Sequence, residues 1–216
     1  MDGVRDEWVV ARVEADRVDW SVHGTVAEVL AATEDCAAVG VDIPLGLPVG
    51  ATARACEVTA RTELRQARAS VFLTPPREVL RSGSHAEACA VALRLTGKAI
   101  SRQSFGIGPK ILAWDAVVDR PAHVVEVHPE LSFRRLAPGV EFASKKSALG
   151  AGQRITALTG WLGPALALTE LPDRVALDDA LDALAAGWSA RRWARREHTE
   201  LGPEPDDRGR PTCIVV

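Results

Sequence analysis

The alternation of hydrophobic and polar residues near the start of the chain predicts a β-hairpin. Residues 8–13 (WVVARV) are β-branched and apolar, and residues 18–23 (VDWSVH) alternate, so the two segments are predicted to pair through a turn at 14–17. A short helix with one apolar face is predicted to follow, from a cap at Thr25 to Thr33. The first elements are therefore expected to be two antiparallel strands and a helix.

A long, mainly helical block is predicted between two buried strands. Residues 37–41 (AAVGV) form a short apolar run that ends in Asp42, and residues 122–127 (AHVVEV) form a second such run. Short apolar runs bounded by turn residues are typical of buried strands. Between them we predict three helices, at 52–70 with Thr52 as a possible cap, at 84–96 and at 101–118.

The last third of the chain is predicted to be helical up to a final strand. Residues 203–211 (PEPDDRGRP) are predicted to form a solvated loop, and residues 212–216 a terminal edge strand. The apolar spacing predicts helices at 130–136, 151–162 and 177–196, the last with Leu177, Leu181, Leu184 and Trp188 on one stripe.

The order of these elements predicts the fold class. A hairpin, a helix, a strand, a helical insert, a strand and further helices favour an α/β protein with a mixed β-sheet flanked by helices. The length of 216 residues fits a single domain over 1–216, with a largely helical insertion at about 52–119.

The composition is that of an ordinary globular protein. Hydrophobic residues make up 47% and charged residues 25% of the chain, enough for a core that needs no disulfides. The net charge of −3 argues against a protein that coats nucleic acid non-specifically, but it does not exclude a nuclease, whose metal site is itself acidic. There is no CxxC pair, no secretory signal and no apolar run long enough to span a membrane. We therefore predict a cytoplasmic protein.

Five carboxylates occupy positions where a mixed sheet can bring ligands together. Asp2 precedes the hairpin, Asp42 ends the first buried strand, and Glu126 lies in the second. Asp179 and Asp182 are three residues apart on the last predicted helix and share one face. Hard divalent cations such as Mg²⁺ bind carboxylate oxygens, and a pair of them can activate water against a phosphodiester. Two strand acids and an i, i+3 helical pair can supply the ligands of such a metal site.

These carboxylates also have purely structural explanations. Asp42 can cap the turn that follows it, and Glu126 can lie on a solvated face of the sheet. An acid in the first turn of a helix, such as Asp179, is stabilised by the helix dipole without any function. The neighbouring Asp178 is predicted to be the N-cap of that helix.

Four basic residues are candidates for contacts with substrate phosphates. Arg61 and Arg77 lie in and after the helix that leads to VFLTPPR, although Arg61 can also pair with Glu57 on a solvated helix face. Lys145 and Lys146 precede a predicted helix N-terminus at GAGQR, where anions can bind. This glycine-containing segment has no P-loop spacing.

The sequence resembles the DUF429 family, which is described as predicted nucleases of the RNase H-like fold. The resemblance spans nearly the whole chain, and the combination of VDIPLGLP with EVHPELSF is specific. The matching segments are DGVRDEWVVARV at 2–13, VGVDIPLGLP at 39–48, residues 53–77, GPKILAWDAVV at 108–118, VVEVHPELSF at 124–133, KKSALGAGQR at 145–154 and DDALDALAA at 178–186.

The resemblance implies an RNase H-like fold and a role for each carboxylate. Asp2 would be the acid of the first strand, Asp42 that of the second and Glu126 that of the third. Asp182 and Asp179 would close the site from the last helix. The implied function is a metal-dependent nuclease that uses Mg²⁺ or Mn²⁺ on a nucleic acid substrate.

Two alternatives to a nuclease remain open at this point. One is a catalytically inactive RNase H-like protein that binds or regulates, and the other is a nucleotide phosphotransferase on a related core. Family members usually carry apolar residues before the DG, whereas Met1 alone precedes Asp2 here. Either residues ahead of Met1 are missing from the sequence, or the first strand is short and holds Asp2 poorly.

Overall fold

The computed structural model describes residues 1–4, 7–15, 17–163 and 167–216. It divides into two compact units. Unit 1 comprises Met1–Asp42, Ala122–Thr199 and Val215–Val216, and unit 2 comprises Ile43–Pro121 and Glu200–Ile214.

Helices and small sheets confirm the predicted α/β class. The strands are β1 (Asp2–Val4), β2 (Glu7–Glu14), β3 (Arg17–His23), β4 (Val39–Val41), β5 (Val124–Glu126), β6 (Glu200–Pro205) and β7 (Pro211–Val215). The α-helices are α1 (Val26–Ala32), α2 (Ala55–Leu64), α3 (Arg77–Leu80), α4 (His85–Thr96), α5 (Arg102–Gly106), α6 (Gly108–Asp115), α7 (Pro129–Leu136), α8 (Ala148–Leu162) and α9 (Leu177–Ala194). No helix in the described ranges is long and apolar enough to cross a membrane.

The predicted hairpin forms one sheet in unit 1. Strands β1, β2 and β3 are antiparallel neighbours in that order, with Asp2 opposite Val9. Helix α1 follows and is capped as predicted. The Thr25 hydroxyl accepts from the backbone N–H of Glu28, and the Glu28 carboxylate accepts from the backbone N–H of Thr25.

The two apolar runs form buried strands as predicted, and the structure shows that these strands pair with each other in parallel. Val41 of β4 lies beside Glu126 of β5. The Met1 amino group donates to the Gly40 carbonyl at 2.8 Å, and the Asp42 backbone N–H donates to the Met1 carbonyl at 3.2 Å. When one residue makes hydrogen bonds to the residues immediately before and after its neighbour on the next strand, as Met1 does around Val41, the two strands are paired in parallel. Met1 therefore lies beside Val41 and joins β1 to β4.

Helix α9 covers one face of these strands in unit 1. It packs against β1, β2 and β4 and against α7 and α8. Gly40 permits close packing, because a Cβ there would lie 2.3 Å from the carbonyl oxygen of Ala186. Leu181 and Leu184 are buried as predicted, but Leu177 is 42% exposed, so its assignment to the buried stripe was wrong.

Helix α8 begins earlier than its sequence pattern predicted. Ser147 caps it by accepting from the backbone N–H of Gly150, so the segment GAGQR lies inside the helix and does not precede it. Glycine is required at this point because a Cβ on Gly150 would lie 2.1 Å from the carbonyl oxygen of Ser144. The helix start therefore still follows Lys146, although it lies at Ala148 and not within GAGQR, and an anion site there stays a prediction.

In unit 2, helix α2 is shorter than predicted and Thr52 does not cap it. The Thr52 hydroxyl donates to the Val49 carbonyl, and the first N–H of the helix, on Ala55, donates to the Glu204 carboxylate at 2.5 Å. Arg65 has a φ of 48° and ends the helix, after which a 3-10 turn follows.

The predicted loop at 203–211 is ordered by one buried carboxylate. Strand β6 extends to Pro205 and β7 begins at Pro211. Between them, Asp206 is 4% exposed and accepts from the backbone N–H groups of Arg208 and Arg210, both at 2.8 Å. An aspartate whose carboxylate accepts from the backbone N–H two residues later forms a tight turn. The polar composition of such a turn is the same as that of a solvated loop, so the sequence pattern could not distinguish the two.

Candidate functional site

Three carboxylates converge on the α9 face of the sheet in unit 1. Asp2, Asp42 and Asp182 each offer one oxygen, and these oxygens lie within 4.8 Å of one another. The strand register explains the first two. Because Met1 lies beside Val41, the next residues, Asp2 and Asp42, also lie beside each other, and neighbours in a ladder point to the same face.

The spacing of helix α9 brings in the third carboxylate. Gly40 lies against Ala186, two residues before Asp42 on the strand and four residues after Asp182 on the helix. Two strand residues span about 6.6 Å and four helical residues about 6 Å. An antiparallel helix that meets the sheet at Gly40 therefore places Asp182 opposite Asp42.

The cluster favours protonated carboxyl groups in the absence of a cation. Burial, followed by the charges of Asp182 and Asp179, raises the pKa of Asp2 to about 7. Burial also raises the pKa of Asp182 to about 6, against the opposing effect of Lys145. The pKa of Asp42 is raised well above its ordinary value by burial and by the charges of Asp2 and Asp182.

Lys145 supplies a positive charge to this cluster. Its ammonium donates to Oδ2 of Asp182. Burial lowers the pKa of Lys145, but Asp182, Asp2 and Asp42 outweigh that effect and raise it above its ordinary value. Asp182 is 2% exposed. Its other oxygen, Oδ1, is therefore shielded from solvent, and it has no hydrogen-bond partner among the described residues. A buried carboxylate oxygen without a partner is costly, so this atom is able to accept a further hydrogen bond or to bind a cation.

The structure does not bring Glu126 into this cluster. Glu126 is 6% exposed on β5, where it lies beside Val41, so its side chain points to the same face as Val41. Asp42 is the next residue after Val41 and points to the opposite face. Sequence could not reveal this, because the relative register of two strands is not a local property.

Asp179 lies near the cluster but is not one of its three members. It is partly buried one helical turn before Asp182, and its charge is among the causes that raise the pKa of Asp2. Asp178, predicted to be the N-cap, instead lies in the first turn of α9 after the cap residue Ala176. Asp178 pairs with Lys146, so Lys146 is engaged at the side of the site.

Sequence reasoning missed a buried ion pair next to the cluster. Arg154 is 2% exposed and binds both oxygens of Glu130, at 2.6 and 2.8 Å. Its guanidinium lies over the rings of Phe133 and Phe142. Glu130 and Arg154 both act on the pKa of Asp182, the first raising and the second lowering it. Arg154 stands in KKSALGAGQR and Glu130 in EVHPELSF, so the motifs contained the signal without indicating the contact.

Unit 2 holds a second group of acids that is already neutralised. Asp115, Asp206 and Asp207 offer oxygens within 4.8 Å of one another. Arg77, predicted to contact substrate phosphates, pairs with Asp115 and Asp207, and Arg210 pairs with Asp115 and Asp206. This network is that of a structural ion-pair cluster.

Arg61 lies in a shallow basic groove on unit 2. Its guanidinium donates to the Val71 carbonyl at 2.6 Å, and the solvated pair with Glu57 predicted from sequence is wrong, because Glu57 is 2% exposed. The groove has a volume of about 890 Å³ and is lined by Val58, Arg61, Thr62, Arg65, Gln66, Arg68 and Leu73.

Fold and site together define an α/β protein with a three-carboxylate centre and an associated lysine. The chain belongs to the DUF429 family, described as a protein of unknown function, whose model matches residues 1–208. No curated protein and no solved structure matches the chain.

Proposed function

We propose that this protein is a divalent-metal-dependent hydrolase of phosphodiester bonds in nucleic acid, built on an RNase H-like fold. The observation that carries the proposal is the convergence of Asp2, Asp42 and Asp182 with oxygens within 4.8 Å of one another. Carboxylate oxygens in such a group are the donors that Mg²⁺ and Mn²⁺ prefer. The fold assignment is supported by the antiparallel sheet β1–β2–β3, the parallel pair β4–β5, and the two hydrogen bonds of Met1 that join β1 to β4.

The residues present fit a divalent cation. Oδ1 of Asp182 is buried and lacks a hydrogen-bond partner among the described residues, as a metal ligand does when its ion is absent. All three carboxyl groups have raised pKa values, so a cation that favours their charged forms would stabilise the folded protein and release protons as it binds. Perturbed carboxyl groups of this kind are concentrated at functional sites.

The roles of the residues follow from their positions. Asp2, Asp42 and Asp182 would hold Mg²⁺ or Mn²⁺. Asp179, one helical turn before Asp182, is a candidate for a fourth ligand. The bound ion would supply an activated water and charge stabilisation at the phosphorus. Lys145 orients Asp182 through its hydrogen bond, and its ammonium adds positive charge beside the position of an incoming phosphate.

The basic groove of unit 2 is the proposed contact for the phosphate backbone. Arg65 and Arg68 are exposed there and make no ion pair with a described residue, and the half-exposed side chains of Val58 and Leu73 stand between the charges. Arginines beside apolar surface suit a single strand, because guanidinium groups bind phosphates while bases cover apolar side chains.

The test is metal-dependent cleavage by an Asp42→Asn protein. Labelled single-stranded and duplex DNA and RNA would be incubated with Mn²⁺ or Mg²⁺, and we expect the substitution to lower the cleavage rate by about 100-fold or more. Asp178→Asn is the matched control, because it removes an acid that pairs with Lys146 outside the cluster. Equal rates in wild type and Asp42→Asn would contradict the proposal.

A second candidate function is a non-catalytic binding protein on the same fold. The observation in its favour is the Lys145–Asp182 ion pair, since an ammonium can neutralise the cluster without a metal. Calorimetric titration with Mn²⁺ separates the two. Absence of binding by the folded wild-type protein would support this candidate over the hydrolase.

A further inference from the structure

The C-terminal end of helix α9 in unit 1 carries a dense group of arginines. Arg191, Arg192, Arg195 and Arg196 lie within six positions, although the whole chain has only 26 basic residues. Arg192 is half-buried and the other three are exposed. Within the part of the chain that the structure describes, none of the four forms an ion pair with a carboxylate. We call these four residues the arginine patch.

Arg192 is held in place on the helix surface. Its guanidinium lies over the ring of Trp188, one helical turn earlier, at 4.9 Å from the ring centre, and it donates to the Glu197 carbonyl. Arg195 is three residues after Arg192 and lies on the same face of the helix. The patch is therefore a surface with a fixed member at its centre.

Arg196 has a backbone conformation that favours glycine. Its φ is 60°, in the left-handed region. Its N–H donates to the Trp193 carbonyl at 3.0 Å, and the N–H of Glu197 donates to the Arg192 carbonyl at 2.9 Å. These two bonds form a Schellman motif, in which glycine usually occupies the left-handed position because it has no Cβ. The turn itself therefore does not explain an arginine here.

The helix dipole explains only part of the positive charge. Cations in the last turn of a helix are stabilised by its negative end, and Arg191 and Arg192 lie in that turn. The effect is confined to the last turn, whereas Arg196 follows the cap residue Arg195. A strained residue beyond the helix indicates that its side chain has another use.

The acids near the patch leave it positively charged. Asp35 and Glu14 line a cavity with part of the patch, but Asp35 is already paired with Arg12 at 2.7 Å. Glu197 is exposed directly after Arg196. Even if Glu14 and Glu197 each offset one guanidinium group, two positive charges remain. The complementary ligand is therefore an anion with more than one charge.

The composition of the surface favours nucleic acid over a membrane. Guanidinium groups match phosphate oxygens through their planar N–H donors. A protein that lies on a lipid surface also inserts apolar side chains beside its cations. Between residues 188 and 199, all of which the structure describes, no large apolar side chain is exposed, and Trp188 and Trp193 are half-buried.

We propose that the arginine patch binds the phosphate backbone of nucleic acid at a place separate from the carboxylate centre. Arg192 follows Asp182 by ten residues on the same helix, which corresponds to about 15 Å. The kind of polymer rests on the proposed function. The binding itself requires no metal, because guanidinium groups bind phosphates directly.

The first test is Arg196→Gly, which separates a binding role from a structural one. We expect Tm to rise by about 2 °C, because glycine relieves the backbone strain. In fluorescence anisotropy with a labelled single-stranded oligonucleotide and a chelator, we expect the affinity to fall about fivefold at about 0.1 M salt. The salt slope should fall by about 0.7, the value for one lost phosphate contact. An arginine that only supported the fold would lower Tm when replaced.

The second test is the double variant Arg195→Gln/Arg196→Gly. Two lost contacts should weaken binding about 20-fold under the same conditions. The matched control is Arg17→Gln/Arg174→Gln, which removes the same charge from unit 1 at exposed pairs with Asp19 and Glu7 and should change the affinity less than twofold.

Three results would overturn the inference: unchanged affinity in both patch variants, equal weakening in the control, or tighter binding to phosphatidylserine vesicles than to the oligonucleotide. The last result would assign the patch to a membrane surface. Because binding is measured without metal, the two proposals fail separately. Patch-dependent binding by a wild type that cleaves nothing with Mn²⁺ would refute the hydrolase alone, and cleavage with binding that ignores the patch would refute this inference alone.

Discussion

The raised pKa of Asp182 makes a quantitative prediction about stability. Its pKa is 3.8 in an unfolded chain and about 6 in the folded protein. Below about pH 4 the carboxyl group is protonated in both states and nothing is lost. Between about pH 4 and 6 the unfolded state ionises first, so the free energy of unfolding falls as pH rises, and above that window the loss is complete. A shift of about two units corresponds to about 3 kcal/mol.

The perturbation is Asp182→Asn, measured with a chelator present. From pH 4 to pH 7 the wild type should lose about 3 kcal/mol more of its free energy of unfolding than the variant, because the variant has no charge to bury. Since the charge of Asp182 also raises the pKa of Asp2, the difference should be somewhat larger than Asp182 alone gives. Titrating groups that do not interact with Asp182 cancel in the comparison, whereas Asp42, whose pKa the charge of Asp182 also raises, adds to the difference in the same direction as Asp2.

Urea unfolding followed by tryptophan fluorescence is a suitable assay. All tryptophans except Trp114 lie in unit 1, so the signal reports the unit that holds the cluster. The control is Asp178→Asn. Burial raises the pKa of Asp178, but its bond to Lys146 outweighs that and lowers it, so this variant should lose as much with pH as the wild type or slightly more. Identical pH dependence of wild type and Asp182→Asn would refute the reasoning.

Three further predictions concern the lysine, a glycine contact and the basic groove. Lys145→Met should lower stability at pH 8 without metal, because it removes the ammonium that pairs with Asp182, and by only about 1–2 kcal/mol because Lys145 is 37% exposed. Mn²⁺ should stabilise the variant more than the wild type in thermal unfolding. Gly40→Ala should cost about 3 kcal/mol or more in urea unfolding because its Cβ would meet the Ala186 carbonyl, whereas Gly152→Ala, with open space in α8, should gain up to about 1 kcal/mol. Replacing Arg65 and Arg68 by Ala should reduce the salt slope of oligonucleotide binding by about 1–2 in fluorescence anisotropy, and Arg94→Ala, which breaks an exposed pair with Glu78, should not.

Local patterns in the sequence were sufficient for most elements of the fold. The hairpin and the Thr25 cap rest on residues close together in the chain, and the structure confirms both. The boundary errors arose where a distant group decides the outcome. Helix α2 begins at Ala55 because Glu204 accepts its first N–H, a contact across 149 residues.

The candidate site could be predicted only in part, because it depends on pairing between distant segments. Asp2 and Asp42 are neighbours through bonds between Met1 and residues about forty positions later. The same pairing decides that Glu126 points away from Asp42. Residue type identified the acids as candidates. The strand register, which sets the face of the sheet to which each side chain points, then decided which of them lie together. The structural explanation of Asp42 as a cap of the following turn does not depend on the strand register, so it could not separate Asp42 from Glu126.

The energetic cost of the three-carboxylate centre is itself an argument about its purpose. Charged groups that lie within 4.8 Å and share one ammonium destabilise the fold at neutral pH, as their raised pKa values record. Apolar or hydrogen-bonded residues of similar size in these positions would be more stable, since buried charges seldom repay their desolvation. A centre that lowers stability without a cation and gains it with one couples folding to ion binding. In the proposed metal site that coupling, and not the fold class, would be the difference from a structural cluster such as Asp115 with its arginines, where the acids are already paired.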